Sequence, residues 1–206
     1  MPRIDVDPRA LGKDVYSLLN SIVVPRPIAW VSTRSSSGVD NLAPHSYFTV
    51  SSVSPPVVQF TSVGIKDSLR NVRETGEFVV SVSTRPLVDG VNRTATRFPP
   101  EVDEFIAAGL TPEPSEMVAP PRVAESPVAL ECCLLDERSF GDSTVVFGEV
   151  LHIAVDESVM RDGLVDPALL APVSRLGGAL WAELGAVFEV ARIPLDQYRP
   201  VARDTR

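Results

Sequence analysis

Lysine is almost absent from this chain: of 19 basic residues only Lys13 and Lys66 are lysines. Histidine is confined to His45 and His152, and cysteine to the adjacent pair Cys132 and Cys133. Neither set has the spacing of a Cys/His metal site, so no metal centre is expected. Neighbouring residues on a strand point to opposite faces, so Cys132 and Cys133 read as two reduced thiols. Positive charge is also in deficit. With 27 acidic residues the formal net charge is −8 and the pI near 4.8. That balance argues against a nucleic-acid or anionic-membrane partner, both of which require a basic face. No apolar run approaches the roughly 20 residues that span a bilayer, and the opening MPRIDVDPRALGKD has no apolar signal core. A cytoplasmic location is expected. The GxSxG elbow, the P-loop and the GxGxxG turn are missing as well, which removes the usual signals of a serine hydrolase, a P-loop NTPase or a Rossmann dehydrogenase.

What is present is an ordinary globular composition, with 44% apolar and 22% charged residues over 206 positions. It is enough for one domain with a real core. No linker or internal repeat divides residues 1–206, and a core of about 16–190 is expected between an N-terminal arm (1–15) and a C-terminal tail (194–206).

The pattern is mainly β. Strands are expected at Ile28 to Thr33, Leu42 to Ser51, Val57 to Ser62, Glu77 to Ser83, Val128 to Leu135, Thr144 to Val155 and Ala186 to Ile193, from their β-branched and aromatic content. Ser35 to Asp40 reads as the turn of a hairpin. A short helix is expected at Tyr16 to Asn20, and a second from Asp67, as N-cap, to Thr75, with Gly76 at the left-handed C′ position. From Pro86 to Pro121 two short helical pieces and a Pro-rich extended run look peripheral. Six or more strands with helical insertions imply a β-barrel core.

Two segments can carry chemistry. In GIKDSLRN (Gly64 to Asn71), Lys66 supplies charge, Ser68 a hydroxyl, and the helix start unpaired N–H groups, the ingredients of a phosphate site. Arg70 or Arg73 would reinforce it. The plainer reading makes Asp67 and Ser68 a cap pair and Lys66 a solvated charge. In NLAPHSYF (Asn41 to Phe48), an interrupted strand edge around Pro44 offers backbone groups to the polar rim of a ring, with Asn41 and Ser46 adding short polar side chains. Asn41 could equally end a turn, with Tyr47 and Phe48 in the core.

RPIAWVST, NLAPHSYF, SPPVVQF, KDSLRN and EFVVSV, in this order and followed by SRLGGALW (Ser174 to Trp181), resemble the flavin reductase-like FMN-binding proteins. The branch is the one that includes the reductase component of nitrilotriacetate monooxygenase. The resemblance covers roughly Tyr16 to Val190. It implies a six-stranded Greek-key split β-barrel with peripheral helices, a homodimer, and FMN at the subunit interface. Carried over position by position, it sets Ser32 and Thr33 near the flavin. Asn41, Ala43, Pro44, His45, Ser46 and Tyr47 fall along the ring, and Ser62, Lys66, Asp67, Ser68 and Asn71 on the phosphate side. Arg175 would bond FMN or nicotinamide, or else form a salt bridge. His152, in FGEVLHIAV, is a weak candidate for catalysis or a structural strand histidine. Ser68 stands where threonine is common and keeps the hydroxyl; Trp181 replaces a more usual tyrosine and loses one.

The function implied is an NAD(P)H-dependent flavin reductase that uses NADH or NADPH and supplies reduced flavin to a monooxygenase partner. The alternative is a non-catalytic electron carrier that holds FMN tightly.

Overall fold

The computed structural model describes residues 1–199. Its main sheet has seven antiparallel strands: β1 (Ala29–Arg34), β2 (Asp40–His45), β3 (Phe48–Val53), β4 (Pro56–Val63), β5 (Glu77–Val82), β6 (Val128–Phe140) and β7 (Ser143–Val155). Their order is β2-β1-β5-β6-β7-β4-β3. The two outermost strands, β2 and β3, are consecutive in the chain, separated only by Ser46 and Tyr47. The sheet therefore curls to bring its two edge strands together at Ser46 and Tyr47, and the Tyr47 carbonyl prolongs the β3–β4 pairing by accepting from the Thr61 amide at 2.9 Å. The expectation of one strand over Leu42 to Ser51 is corrected here, while the expected mainly β barrel with peripheral helices is what the structure has. Ser46 and Tyr47 break that strand as it passes from one side of the barrel to the other.

Burial follows from which faces are covered. On β1, Ala29 and Val31 point into a core with Phe60, Phe78, Val80, Cys132 and Val146, closed at one end by Leu69 and Val72 of helix α2 (Asp67–Thr75). The alternate residue Trp30 points outward and is buried too, among Leu42, Val91 and Phe105. Its cover is helix α3 (Val88–Arg93) with helix α4 (Glu104–Ala108). A strand buried on both faces loses the apolar–polar alternation, and IAWV shows none. β3 is the opposite case: Val50 and Val53 are 65% and 87% exposed.

Gly148 sits at an irregularity in the β6–β7 pairing. A Cβ placed there would run into the Phe78 ring and come within 3.2 Å of the Cys132 Cβ. Glycine is required because the ring occupies the space a side chain would need.

Glu131, fully buried on β6, accepts from the amides of Glu116 and Met117, and Glu77 accepts from Ala119. These bonds pin the Pro-rich run against the barrel. A small second sheet joins Arg26–Pro27 to Val173–Arg175 and Trp181–Glu183. The first helix, α1 (Asp14–Ile22), extends further at both ends than expected.

Two expectations fail. Residues 186–193 form no strand, and no hydrogen bond of their backbone is made among the described residues. Asp67 is the first residue of α2, not its cap; Lys66 holds the N-cap position in extended backbone with no side-chain cap bond. Gly76 does close α2 in the left-handed conformation, at φ 75°. The expected tail from Pro194 lies outside the described residues from position 200 onward.

Candidate functional site

A cavity of about 480 Å³, within the range of small-molecule sites, opens where β2, the β4–α2 loop and the segment after α3 converge. One wall is Asn41, Ala43, Pro44 and His45. A second is the loop from Val63 through Ser68, and the third is Thr94 to Phe98 with Glu104. Of the expected residues the structure thus brings together Asn41, Ala43, Pro44, His45, Lys66, Asp67 and Ser68. Thr33, Ser62 and Asn71 lie buried directly behind them.

The buried polar groups form one network. The Ser68 hydroxyl donates to Asn41 Oδ1 at 3.1 Å, and the Asn41 amide donates to Glu104 Oε1 at 2.7 Å. Glu104 Oε2 also accepts from the Leu42 amide at 3.2 Å. Asn71 donates to Thr33 Oγ1 at 3.0 Å, and Thr33 Oγ1 lies 3.3 Å from Asn41 Oδ1. Ser62 donates to the Gly64 carbonyl at 2.9 Å, shaping the loop that presents Lys66. Burial of these side chains is tolerated because each is partnered, and the partnering fixes β2 against α2. Burial pushes the Glu104 carboxyl above its usual value, against the opposing effect of its bonds from Asn41 and Leu42.

His45 is buried beside Phe60, its ring nitrogens 3.3 Å from the Thr61 carbonyl and from Ser68 Oγ. Burial, and secondarily the Lys66 charge, lower its pKa from 6.5 to about 4. The folded protein thus holds a neutral imidazole where the unfolded chain would accept a proton. Above pH 6.5 this contributes no pH dependence. As pH falls from 6.5 toward 4 stability is lost, by up to about 3 kcal/mol, and the loss levels off below. Urea unfolding at several pH values should show a shallower acid loss in His45→Gln than in the wild type; identical slopes would contradict this placement.

Lys66 and Arg97 bring positive charge to the cavity, which Glu104 also lines. Among the described residues neither cation enters an ion pair. Desolvation at the wall, then the Arg97 charge, hold the Lys66 ammonium below the usual lysine value. Asp67, next to Lys66 in sequence, is paired with Arg70. Arg73 is paired with Glu137 at 2.9 Å. The expected reinforcement by Arg70 or Arg73 is therefore taken up elsewhere. The first-turn N–H groups of α2 have no side-chain cap and lie at the same loop. Two cations outside any ion pair and a helix N-terminus are donors of the kind a phosphate site uses.

Arg97 and Glu104 were not singled out from the sequence. They reach the cavity from chain positions remote from β2 and α2, and no local motif marks them. Other expected residues lie apart from it. The Ser32 hydroxyl donates to the Pro121 carbonyl and is buried. Ser46 and Tyr47 line a different groove, where the Tyr47 hydroxyl accepts from Asn20 at 2.8 Å. Arg175 donates to the Gly178 carbonyl at 2.6 Å and stacks over Trp181 at 4.8 Å; neither the salt bridge nor a place in the cavity is seen. His152 is half-buried on β7, opposite Glu131 in the ladder, and lines neither space. Among the described residues no group of three or more His, Cys, Asp or Glu could hold a metal ion. No helix there is long and apolar enough to cross a membrane.

An antiparallel barrel with an anion-accepting cavity at a strand–helix junction is the class that the fold and site define. The model of the flavin reductase like domain matches residues 21–170, and the chain belongs to that family. A protein of Aquifex aeolicus, itself uncharacterized, is 40% identical over 178 residues, covering 84% of this chain and 91% of its own. Nitrilotriacetate monooxygenase component B from Bacillus cereus is 34% identical, with a TM-score of 0.88 over 92% of this chain and all of its own. The 2-nitrobenzoate 2-nitroreductase NbaA of Pseudomonas fluorescens is 28% identical, with a TM-score of 0.86 over 93% of this chain and 97% of its own.

Proposed function

We propose that this protein binds FMN, with the phosphate at Lys66, Arg97, Ser68 and the N-terminus of α2, and acts as an NAD(P)H-dependent flavin reductase. The observation that carries the reading is the pair of unpaired cations beside an uncapped helix start, in one cavity with the β2 wall. Similarity to a nitrilotriacetate monooxygenase component B supports a role supplying reduced flavin to a separate oxygenase. A homodimer with the flavin at the subunit interface is part of this proposal.

Bound FMN would supply two-electron redox chemistry, accepting electrons from a nicotinamide and passing them on. The chain's own residues bind and orient it. Lys66 and Arg97 neutralise the phosphate charge, and the first-turn amides of α2, that of Ser68 among them, direct its oxygens. Ala43 and Pro44 form an apolar wall, and His45 backs that wall. Asn41, held by Ser68 and Glu104, fixes the distance between wall and phosphate loop, and Thr33, Asn71 and Ser62 hold their neighbours in place. Ser46, Tyr47 and Arg175 stand outside the cavity of one copy, so any contact they make with flavin would come at the interface, whereas Ser32 is fully buried and serves to hold the Pro121 carbonyl. No side-chain acid or base is needed, and His152 has no assigned part.

Protein reconstituted with FMN should oxidise NADH or NADPH faster than free FMN at the same concentration. FMN binding without such turnover would select the electron-carrier reading, and no FMN binding would remove both.

A further inference from the structure

His45 is buried in the cavity wall, and the hydrogen bonds around it do not balance. Its Nδ1 lies 3.3 Å from the Thr61 carbonyl, and a carbonyl can only accept, so the single proton of the neutral ring belongs on Nδ1. Nε2 is then a bare acceptor, 3.3 Å from Ser68 Oγ. The same Ser68 hydroxyl lies 3.1 Å from Asn41 Oδ1. Asn41 cannot turn over to relieve this. Its amide nitrogen donates to Glu104 Oε1 at 2.7 Å, which fixes Oδ1 toward Ser68 and Thr33. One hydroxyl hydrogen therefore faces two acceptors, and the network is one hydrogen short.

A proton on Nε2 removes the shortfall. The imidazolium donates to Thr61 and to Ser68, and the Ser68 hydrogen turns to Asn41. Glu104, the other buried ionisable group of the network, offers no such place, because its two oxygens already accept from the N–H groups of Asn41 and Leu42. Burial, and secondly the Lys66 charge, hold His45 neutral. The remaining charged groups around the cavity act less directly. Asp67 is paired with Arg70, Arg97 faces Lys66 from the segment after α3, and Glu104 connects to His45 only through Asn41 and Ser68. Ala29 of β1 and Phe60 of β4, packed on either side, bring no charge. A dianion between Lys66 and Arg97 would cancel the repulsion that Lys66 exerts on the ring and put an attraction in its place.

We propose that His45 is the proton-accepting group of the anion site: as a phosphate dianion settles between Lys66 and Arg97, His45 takes one proton from solvent on Nε2 and donates it to Ser68 Oγ. The uptake rests on the phosphate placement in the proposed function, and adds to it a third positive charge and a dependence on pH. The phosphate of FMN loses its second charge below roughly pH 6. Affinity for FMN should therefore be greatest near that pH and decline on either side.

The chain has two histidines, so nitrogen NMR of histidine-labelled protein reads the ring directly. At about pH 6.5, one imidazole of the ligand-free protein should carry its single proton on Nδ1. Saturating FMN should protonate both nitrogens of that ring, and saturating riboflavin, which lacks the phosphate, should not. The responding signal should persist in His152→Gln and vanish in His45→Gln. Calorimetry of FMN binding in buffers of different ionisation enthalpy should give proton uptake in the wild type and little in His45→Gln. Affinity for sulfate, a dianion throughout, should fall several-fold from about pH 6 to about pH 8 and stay within about twofold in His45→Gln. A ring that stays neutral in the FMN complex would overturn the inference and leave FMN binding in place. Equal protonation by riboflavin, or uptake unchanged in His45→Gln, would overturn it as well. Equal affinities for FMN and riboflavin would instead remove the phosphate placement, and this inference with it.

Discussion

Replacing both Lys66 and Arg97 with alanine is expected to weaken FMN binding by about 2–6 kcal/mol, the loss of two charge-assisted phosphate contacts at about 1–3 kcal/mol each. Lys66→Ala alone should cost about 1–3 kcal/mol. The two cations face one cavity and Arg97 already disfavours the charged form of Lys66. Each therefore raises the demand for an anion between them, and their effects should be coupled rather than independent. Both side chains are exposed, so the loss should come in affinity with little change in stability. Flavin fluorescence titration at two salt concentrations reads it directly: the wild type should lose affinity as salt rises, and the double variant should barely respond. Affinity of the double variant within twofold of the wild type would move the phosphate elsewhere.

Phe78→Ala is expected to destabilise the fold by about 3–5 kcal/mol, the usual cost of emptying a buried aromatic site. Phe78 is fully buried, packs edge-on against Phe60 at 5.3 Å, and fills the space above Gly148. Gly148→Ala alone should cost about 1–3 kcal/mol by overpacking against that ring. In the double variant the new methyl group enters the space the ring vacated, so the combined loss should be smaller than the sum. Urea denaturation of the four proteins measures it. Simple additivity would mean that the ring and the glycine do not share the space the structure gives them.

Much of the barrel was legible because each main strand carries its own β-branched run, and α2 its own Gly76 stop. What escaped was decided by neighbours. Leu42 to Ser51 reads as continuous, yet the chain must cross from one edge of the sheet to the other at Ser46 and Tyr47. Ala186 to Ile193 has the composition of a strand, but its backbone makes no hydrogen bond among the described residues. IAWV reveals burial on both faces without saying what covers it; α3 and α4 do.

The candidate site divides in the same way. Asn41, His45, Lys66 and Ser68 fall in two short motifs that the fold brings side by side, so reading the motifs together found them. Arg97 and Glu104 carry no local signal, because an arginine after a short helix and a glutamate inside another are commonplace until folding sets them against β2. Ser46, read from the motif itself, and Tyr47 and Arg175, carried over by resemblance, lie outside the cavity; for the first two the reason is that a motif is contiguous in sequence while the chain leaves β2 after His45.

The claim on which the functional account turns is that Lys66, Arg97 and the α2 N-terminus hold the phosphate of FMN. The most direct measurement compares the affinities of the unmodified protein for FMN and for riboflavin, which lacks only that phosphate, by fluorescence titration at low salt. Tighter binding of FMN, by roughly tenfold or more and narrowing as salt rises, is the predicted result. Equal affinities for the two flavins would contradict it.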